Sequence, residues 1–462
     1  MASTWDVDDA VKAPAPDLTG MPNGSDRSLE AGAVDATGLA DASRHSARRP
    51  SEDVRFRRPR LGVLALHPIQ YHAPLYQRLA SRGQVRLDVL HLRDTGSRLG
   101  VDPGFGVPVT WDIDLLSGYD HSFLNGSRRR PGRLGAMGRL VRWLRSHDVV
   151  VINGYSDPWM LAAAAACRAM GTPFLLRGMS APEGFSTGIR RRVRDGIARA
   201  VVSSSAGGLA LGKLNWAFYV KYGASRIFFT PNSVDNERFA RAPVVGRSEL
   251  LARWGLDDTA PVIMFCGKLF SPKRPLDLVA ATSSLGQEVT TIFVGDGVLA
   301  DQVRALLRPG RGVVTGFVNQ ADIPSYYHAA DILVLPSYHE PWGLVVNEAM
   351  ATGTLPVVSD RVGAASDLVD GVGEIFAWGD VAALTEALRR ALGRLGDPEA
   401  SDQARRRVAQ YSIDIAAAGF EEATLAASEQ PPRRKLRARR SGAAPRGLRL
   451  EGGSGPGKEL VD

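Results

Sequence analysis

Cysteine is nearly missing from this chain, with Cys167 and Cys266 the only two. Two thiols make neither a disulfide framework nor a cysteine metal site, so disulfide-stapled scaffolds and zinc ribbons are excluded. A reducing cytoplasm is the expected compartment. Long apolar runs are missing too: no stretch of 18 apolar residues occurs, so no membrane-spanning helix is predicted. The opening MASTWDVDDAVKAPAPDLTG lacks the basic-then-apolar order of a secretion signal. Acid is absent from one place in particular. From Arg433 to Arg449 there are seven Arg and one Lys without an Asp or Glu, which accounts for the formal charge of +8 and leaves the rest near neutral. Such a tail suits contact with anionic lipid at the inner face of the membrane and suits a solvated extension equally. Nucleic acid is not an expected partner.

What is present fits a globular α/β protein. A length of 462 residues suits two domains with tails. Residues 1–57 are rich in Ala, Asp, Ser, Gly and Pro without a sustained period and read as disordered, as does the basic stretch 428–462. Between them strand-like apolar runs alternate with helical spacing. The expected units are a Rossmann-like domain over 58–240, a linker over 241–260, a second Rossmann-like domain over 261–410, and a final helix over 411–427. Within the first unit, residues 134–146 place Leu134, Met137, Leu140, Val141 and Leu144 on one helical face. Residues 381–394 and 402–427 also read as helical.

The chain is organised around one stretch. Ile332-Leu333-Val334-Leu335 and Leu355-Pro356-Val357-Val358 are strand-length apolar runs, and between them lies HEPWGLVVNEAMATG. Val345, Ala349 and Met350 carry helical spacing, and Gly353 is the stop. The unit therefore reads as strand, tight turn, short helix, strand. Gly343 opens the helix with no side chain, so a ligand can approach the amides of Gly343, Leu344 and Val345 at the positive end of the helix, an anion site suited to a diphosphate. Glu340 lies just before the helix and Glu348 more than a turn inside it. Ionised carboxylates only accept hydrogen bonds, so the pair can hold hydroxyl groups on either side of a phosphate. Sugar, diphosphate and ribose follow one another in that way in a nucleotide-sugar. Two glutamates in isolation would be a solvated loop residue and a surface helix residue; the apolar flanks and the glycine weigh against that here.

Other loops converge on the same chemistry. The strand-like Val262–Cys266 run leads into Gly267-Lys268-Leu269-Phe270-Ser271-Pro272-Lys273-Arg274, whose cations at a strand's carboxyl end can neutralise a diphosphate or simply be solvated. Thr291–Val294 leads into Gly295-Asp296-Gly297, a glycine pattern shared with dinucleotide-binding folds. The acidic residue such folds need about 20 positions on is absent, so a nicotinamide cofactor is rejected. Gly295 and Gly297 read instead as a tight turn bordering a nucleotide. In the first half, His67 and His72 follow the first strand's carboxyl end, where open α/β sheets place ligands, although loop packing accounts for either one alone. The long polar stretch after the second strand carries Trp111, Tyr119 and Phe123, which suit either sugar stacking or anchoring of the loop.

The Glu340 to Glu348 segment resembles the glutamate–seven residues–glutamate signature of family 4 glycosyltransferases, retaining enzymes of the GT-B fold. The likeness extends through Pro356 to Asp367, with Ala364 and Asp367 as mild departures, and through Pro231-Asn232-Ser233-Val234-Asp235, where Ser233 replaces a usual glycine. The resemblance spans roughly residues 60–427. It implies two Rossmann-like domains facing a cleft, with the final helix crossing back onto the first. It implies that Glu340 meets the donor sugar's hydroxyls, that Glu348 meets the ribose, and that Lys268 and Lys273 hold the diphosphate of a UDP- or GDP-linked sugar. By the same likeness, Phe317, in Gly316-Phe317-Val318, lies near the base, and Arg177 occupies a region where many members place a histidine facing the reacting sugar. His67, His72 and Arg177 are then candidates for the acceptor side. HPIQYHAPLY, WDIDLLSGY and VDNERF are similar to bacterial members that build surface polysaccharide or glycolipid, implying a glycan or lipid-linked acceptor. The implied reaction is hexosyl transfer with retention and no metal or cofactor. A GT-B epimerase or phosphorylase, or an inert nucleotide-sugar-binding protein, would share the architecture.

Overall fold

The computed structural model describes residues 57–95, 100–101, 108–109, 111–124, 132–181 and 188–429. The tails expected to be disordered lie outside these residues, apart from Arg57 and the positions just before 430. Among the described residues fifteen strands run in chain order: β1 Arg60–Ala65, β2 Arg86–His91, β3 Gly100–Val101, β4 Pro108–Val109, β5 Asp120–Phe123, β6 Val149–Asn153, β7 Phe174–Arg177, β8 Gly207–Ala210, β9 Ile227–Phe229, β10 Val262–Cys266, β11 Thr290–Val294, β12 Gly312–Gly316, β13 Ile332–Leu335, β14 Leu355–Ser359 and β15 Glu374–Phe376. They form a seven-stranded sheet ordered β5-β2-β1-β6-β7-β8-β9, a six-stranded sheet ordered β12-β11-β10-β13-β14-β15, and the small β3-β4 pair. Both large sheets are parallel throughout. Helices cover both faces of each, which is why their central strands are continuous apolar runs rather than alternating ones. This is the two-domain GT-B arrangement expected from the sequence.

Local chemistry sets the helix ends. Asp157 accepts from the Trp159 amide and Pro158 occupies the first turn of the Pro158–Met170 helix, which Gly171 closes in the left-handed region. The helical stretch expected over 402–427 is in fact two helices, Pro398–Ala409 and Ile413–Ser428. Ser412 is extended and its side chain caps the second helix, while Tyr411 turns inward to donate to Asp367 Oδ1 at 2.9 Å. The apolar face of the Arg133–Arg145 helix also needs correction. Ala136, Leu140 and Leu144 are buried, whereas Leu134 sits about 200° round the helix from Ala136 and is 90% exposed. The stretch read as a linker carries the short Arg247–Ala252 helix, whose Leu250 and Leu251 are buried, and another short helix with buried Phe239, Asn236–Ala240, ends just before it.

The Ile413–Ser428 helix lies back on the first sheet. Its Ala416, Ala417, Phe420, Ala423 and Ala427 share one core with Leu61, Val63, Leu75 and Val149. Arg78 bonds Asp414 through two nitrogens at 2.5 and 2.8 Å, and Arg82 holds Glu421 at 2.9–3.0 Å. A second tie joins the sheets near the cleft. Buried Asp367 accepts from the Lys213 amide at 2.9 Å, and Asn347 donates to the Asn232 carbonyl at 3.1 Å. Asp367, noted as a departure from the family pattern, is thus a bond between the two halves.

Candidate functional site

Strand β13 delivers the chain to the turn His339–Gly343, and the Leu344–Thr352 helix carries it back to β14. Gly343 has φ 94°, where an L side chain is strained, and a Cβ there would lie 2.9 Å from Leu335 Cδ2. Glycine is therefore required by the backbone as well as by any ligand at the helix start. Glu340 is fixed through its backbone, its N–H bonded to the Arg361 carbonyl at 3.1 Å and its carbonyl accepting from Gly363 at 2.8 Å. Its carboxylate pairs with the Lys273 ammonium from a neighbouring loop of the same domain. That contact brings together two residues 67 positions apart, from the turns after β10 and β13.

Both partners are largely shielded, at 20% and 14% side-chain exposure. Burial pushes the Lys273 ammonium down to about 8, and the neighbouring Lys268 acts in the same direction. Lys268 and Lys273 thus sit close enough to repel, as two cations sharing one anionic group would. His339 is also held below its usual value, first by burial and then by Lys273.

Glu348 is more unusual. It is 1% exposed, one carboxylate oxygen accepts from the Tyr327 hydroxyl at 2.5 Å, and the other, Oε1, has no partner among the described residues. Burial raises its carboxyl to about 7, opposed by Tyr327, Arg238 and Tyr71. An unpaired buried carboxylate oxygen is costly and calls for a donor from elsewhere. Tyr71 comes from the other domain, so the cleft closes over Glu348. Beside it, a cavity of about 220 Å³ is lined by Tyr71, Gln77, Asp114, Arg238, Phe239 and Gln320.

The remaining predicted residues divide. Leu344 and Val345 form the first turn of the helix, as expected. Gly267, at φ 145°, follows β10. Gly295 and Gly297 are required by loop packing: a Cβ on Gly295 would meet the Gly267 carbonyl oxygen at 1.9 Å, and one on Gly297 the Leu269 oxygen at 2.5 Å. They let two loops of the same edge pack together. Phe317 faces Trp111 of the first domain at 6.0 Å between ring centres, and Asp112 accepts from the Ala321 amide at 3.1 Å. His72 and Arg177 are neighbours, NH1 to Nε2 at 3.3 Å, whereas His67 bonds the Pro68 carbonyl of its own loop at 3.1 Å. Tyr71, Tyr327 and Arg238 around Glu348 were not foreseen, since no spacing in the sequence links positions 71, 238 and 327 to 348. Among the described residues, no group of three His, Cys, Asp or Glu is placed to hold a metal ion, and no helix is long and apolar enough to cross a membrane.

The sequence profile of the glycosyl transferases group 1 matches residues 260–394, the half that carries this helix and both lysines. The 2-deoxystreptamine glucosyltransferase of Streptomyces kanamyceticus is 30% identical over 265 residues, which is 53% of this chain and 68% of that one. A D-inositol 3-phosphate glycosyltransferase of Xylanimonas cellulosilytica is 32% identical over 236 residues, 46% of this chain and 55% of that one. Among solved structures, Anabaena HepE in complex with UDP superposes with a TM-score of 0.61 at 18% identity, covering 79% of this chain and 98% of that one. Sucrose-phosphate synthase from Thermosynechococcus elongatus gives a TM-score of 0.57, also at 18% identity and with the same coverage. These structures share the two-domain fold, and the sequence matches fix the family: the chain belongs to the group 1 glycosyl transferases.

Proposed function

We propose that the protein moves a hexosyl unit from a UDP- or GDP-linked sugar to an acceptor hydroxyl with retention of configuration, as a family 4 enzyme. The observation that carries this is the pair of carboxylates at the two ends of one anion site. Glu340, already paired with Lys273, stands where a donor sugar would lie, and Glu348, with its unpaired Oε1, stands where ribose hydroxyls would donate. Lys268, Lys273 and the first amides of the Leu344–Thr352 helix meet the diphosphate and stabilise it as leaving group. Catalysis rests on positioning and charge stabilisation, with the leaving diphosphate helping to take the acceptor proton on the same face. Phe317 and Trp111 flank the base. His67, His72 and Arg177 lie on the acceptor side, and the acceptor is a surface glycan or glycolipid.

Calorimetric titration with UDP, GDP and their hexose conjugates tests the donor assignment. Glu340→Gln is expected to weaken the intact sugar nucleotide about ten- to a hundred-fold and to leave free nucleoside diphosphate almost unchanged. Equal weakening of both ligands would assign Glu340 to the nucleotide instead. Without an acceptor, conversion of the donor to its epimer would replace transfer by epimerisation, and glycosyl release that depends on added phosphate would replace it by phosphorolysis. With lysines and helix amides on the diphosphate, transfer is expected to persist in excess chelator; an absolute need for added divalent cation would overturn that part.

The pH dependence follows from the two shifted groups. Glu348 must be ionised to accept from ribose and Lys273 must be protonated to meet the diphosphate. The plot of kcat/KM for the donor, which reports the free enzyme, should therefore rise through about 7 and fall through about 8. Glu348→Gln should remove the acid limb, and a flat profile between pH 6 and 9 would contradict both roles.

A further inference from the structure

Arg177 ends β7 with 5% of its surface exposed. Among the described residues no carboxylate pairs with it. Its nearest polar partner is the neutral Nε2 of His72, its Nε has no hydrogen-bond partner, and its guanidinium lies 5.6 Å from the Phe420 ring centre. Arginine keeps its charge even when buried, so this is a shielded cation without a counter-ion, an arrangement that is costly in general. His72 does not supply the missing charge, because burial and then Arg177 hold its ring well below its usual value and therefore neutral.

The surroundings are those of a ligand site. Arg177 and Asn153 are register partners at the carboxyl ends of adjacent strands, the edge where parallel sheets take their ligands. Asn153 donates to Tyr76 Oη at 2.9 Å while its Oδ1 is buried without a donor. The ten-residue Ala73–Arg82 helix starts at His72 with no side-chain cap and no acid in its first turn, so its positive end adds to the same potential. The residue before His72 is Tyr71, which reaches Glu348 of the other domain. The unpaired cation thus lies beside the cleft.

We infer that Arg177, with Asn153 and His72, forms a subsite for an acid group, a phosphate or a carboxylate, borne by the transferred sugar or by the acceptor. The acid supplies the counter-ion that Arg177 lacks, and a neighbouring hydroxyl of the same substrate donates to Asn153 Oδ1. This rests on the donor-site reading above and sharpens it, since it excludes substrate pairs that are neutral or cationic at both positions.

Two matched titrations test it and separate the sources. One compares a uridine diphosphate hexose with the corresponding hexuronate. The other compares glucose with glucose 6-phosphate, each with UDP present. In one of these arms the acid ligand is expected to bind about ten- to a hundred-fold more tightly than its neutral twin. Arg177→Gln is expected to abolish that preference while leaving free UDP unchanged, and Arg177→Lys to retain part of it. No acid preference in either arm, or a preference that survives Arg177→Gln, would overturn the inference. Should Arg177→Gln fail to fold, Arg177→Lys decides: a reduced acid preference supports the inference and an undiminished one overturns it. Wild-type protein that binds UDP but shows no preference removes this inference alone. Failure to bind UDP or GDP at all removes the donor-site reading, and this one with it.

Discussion

At pH 8, Glu348→Gln is expected to lose about ten- to a hundred-fold in affinity for nucleoside diphosphate while becoming more stable than the parent. The two effects share one cause. The folded protein holds this carboxyl at about 7 against an ordinary value of 4.5. Between those values the folded state binds more proton than the unfolded state, so the parent loses stability as pH rises from 4.5 to 7. Above 7 the penalty is complete. The gap converts to about 3 kcal/mol, an upper figure because the glutamine amide brings a buried donor of its own. Denaturant midpoints of parent and variant should therefore nearly coincide at pH 4.5 and separate by pH 8. An equal separation at both pH values would show that the effect has nothing to do with a buried charge.

The larger loss of activity is expected at Lys273. In the proposed role Lys273→Met removes a cation from the diphosphate, and loss of one such stabilising contact is expected to lower kcat about a hundred- to a thousand-fold. It also strands Glu340, which is 14% exposed, without its partner. Breaking a fully buried pair costs roughly 3–5 kcal/mol, and the residual exposure here brings the expectation to about 2–3 kcal/mol. The double variant Lys273→Met, Glu340→Gln leaves no stranded charge. It should recover most of the stability and none of the activity. Recovery of both would reduce the pair to a structural bridge.

The contrast between the two glutamates shows what a sequence can and cannot disclose. The strand–turn–helix unit was legible because local signals agree: apolar runs of strand length, Gly343 and Gly353 at the ends, helical spacing between. That agreement placed Glu340 and Glu348 on either side of the helix start. The environment that raises Glu348 was not legible, because Tyr71, Arg238 and Tyr327 reach it from three separate parts of the chain. The Lys273–Glu340 pairing is likewise set by the adjacency of β10 and β13, strands 66 or more positions apart that the sheet order alone brings together. The turn at Gly295 and Gly297 was legible, but its packing against Gly267 and Leu269 was not, since a sequence does not say which atoms close on a glycine. Near Tyr411 the helical period ran on through a break, and only the contact with Asp367 explains it. The exposed Leu134 is a matter of phase: the face is chosen by what packs against it.

The helix that returns to the first sheet also has a consequence for how the protein is made. One face of the β1–β6 core is completed by Ala416, Phe420 and Ala423, which leave the ribosome about 350 residues after β1. At 5–20 residues per second that is roughly 20–70 s. Throughout that interval the nascent first domain carries an uncovered apolar face, so its folding is finished last although its strands are synthesised first. A nascent chain that has emerged from the ribosome only as far as residue 412 would hold a second domain able to close its own core and a first domain that cannot.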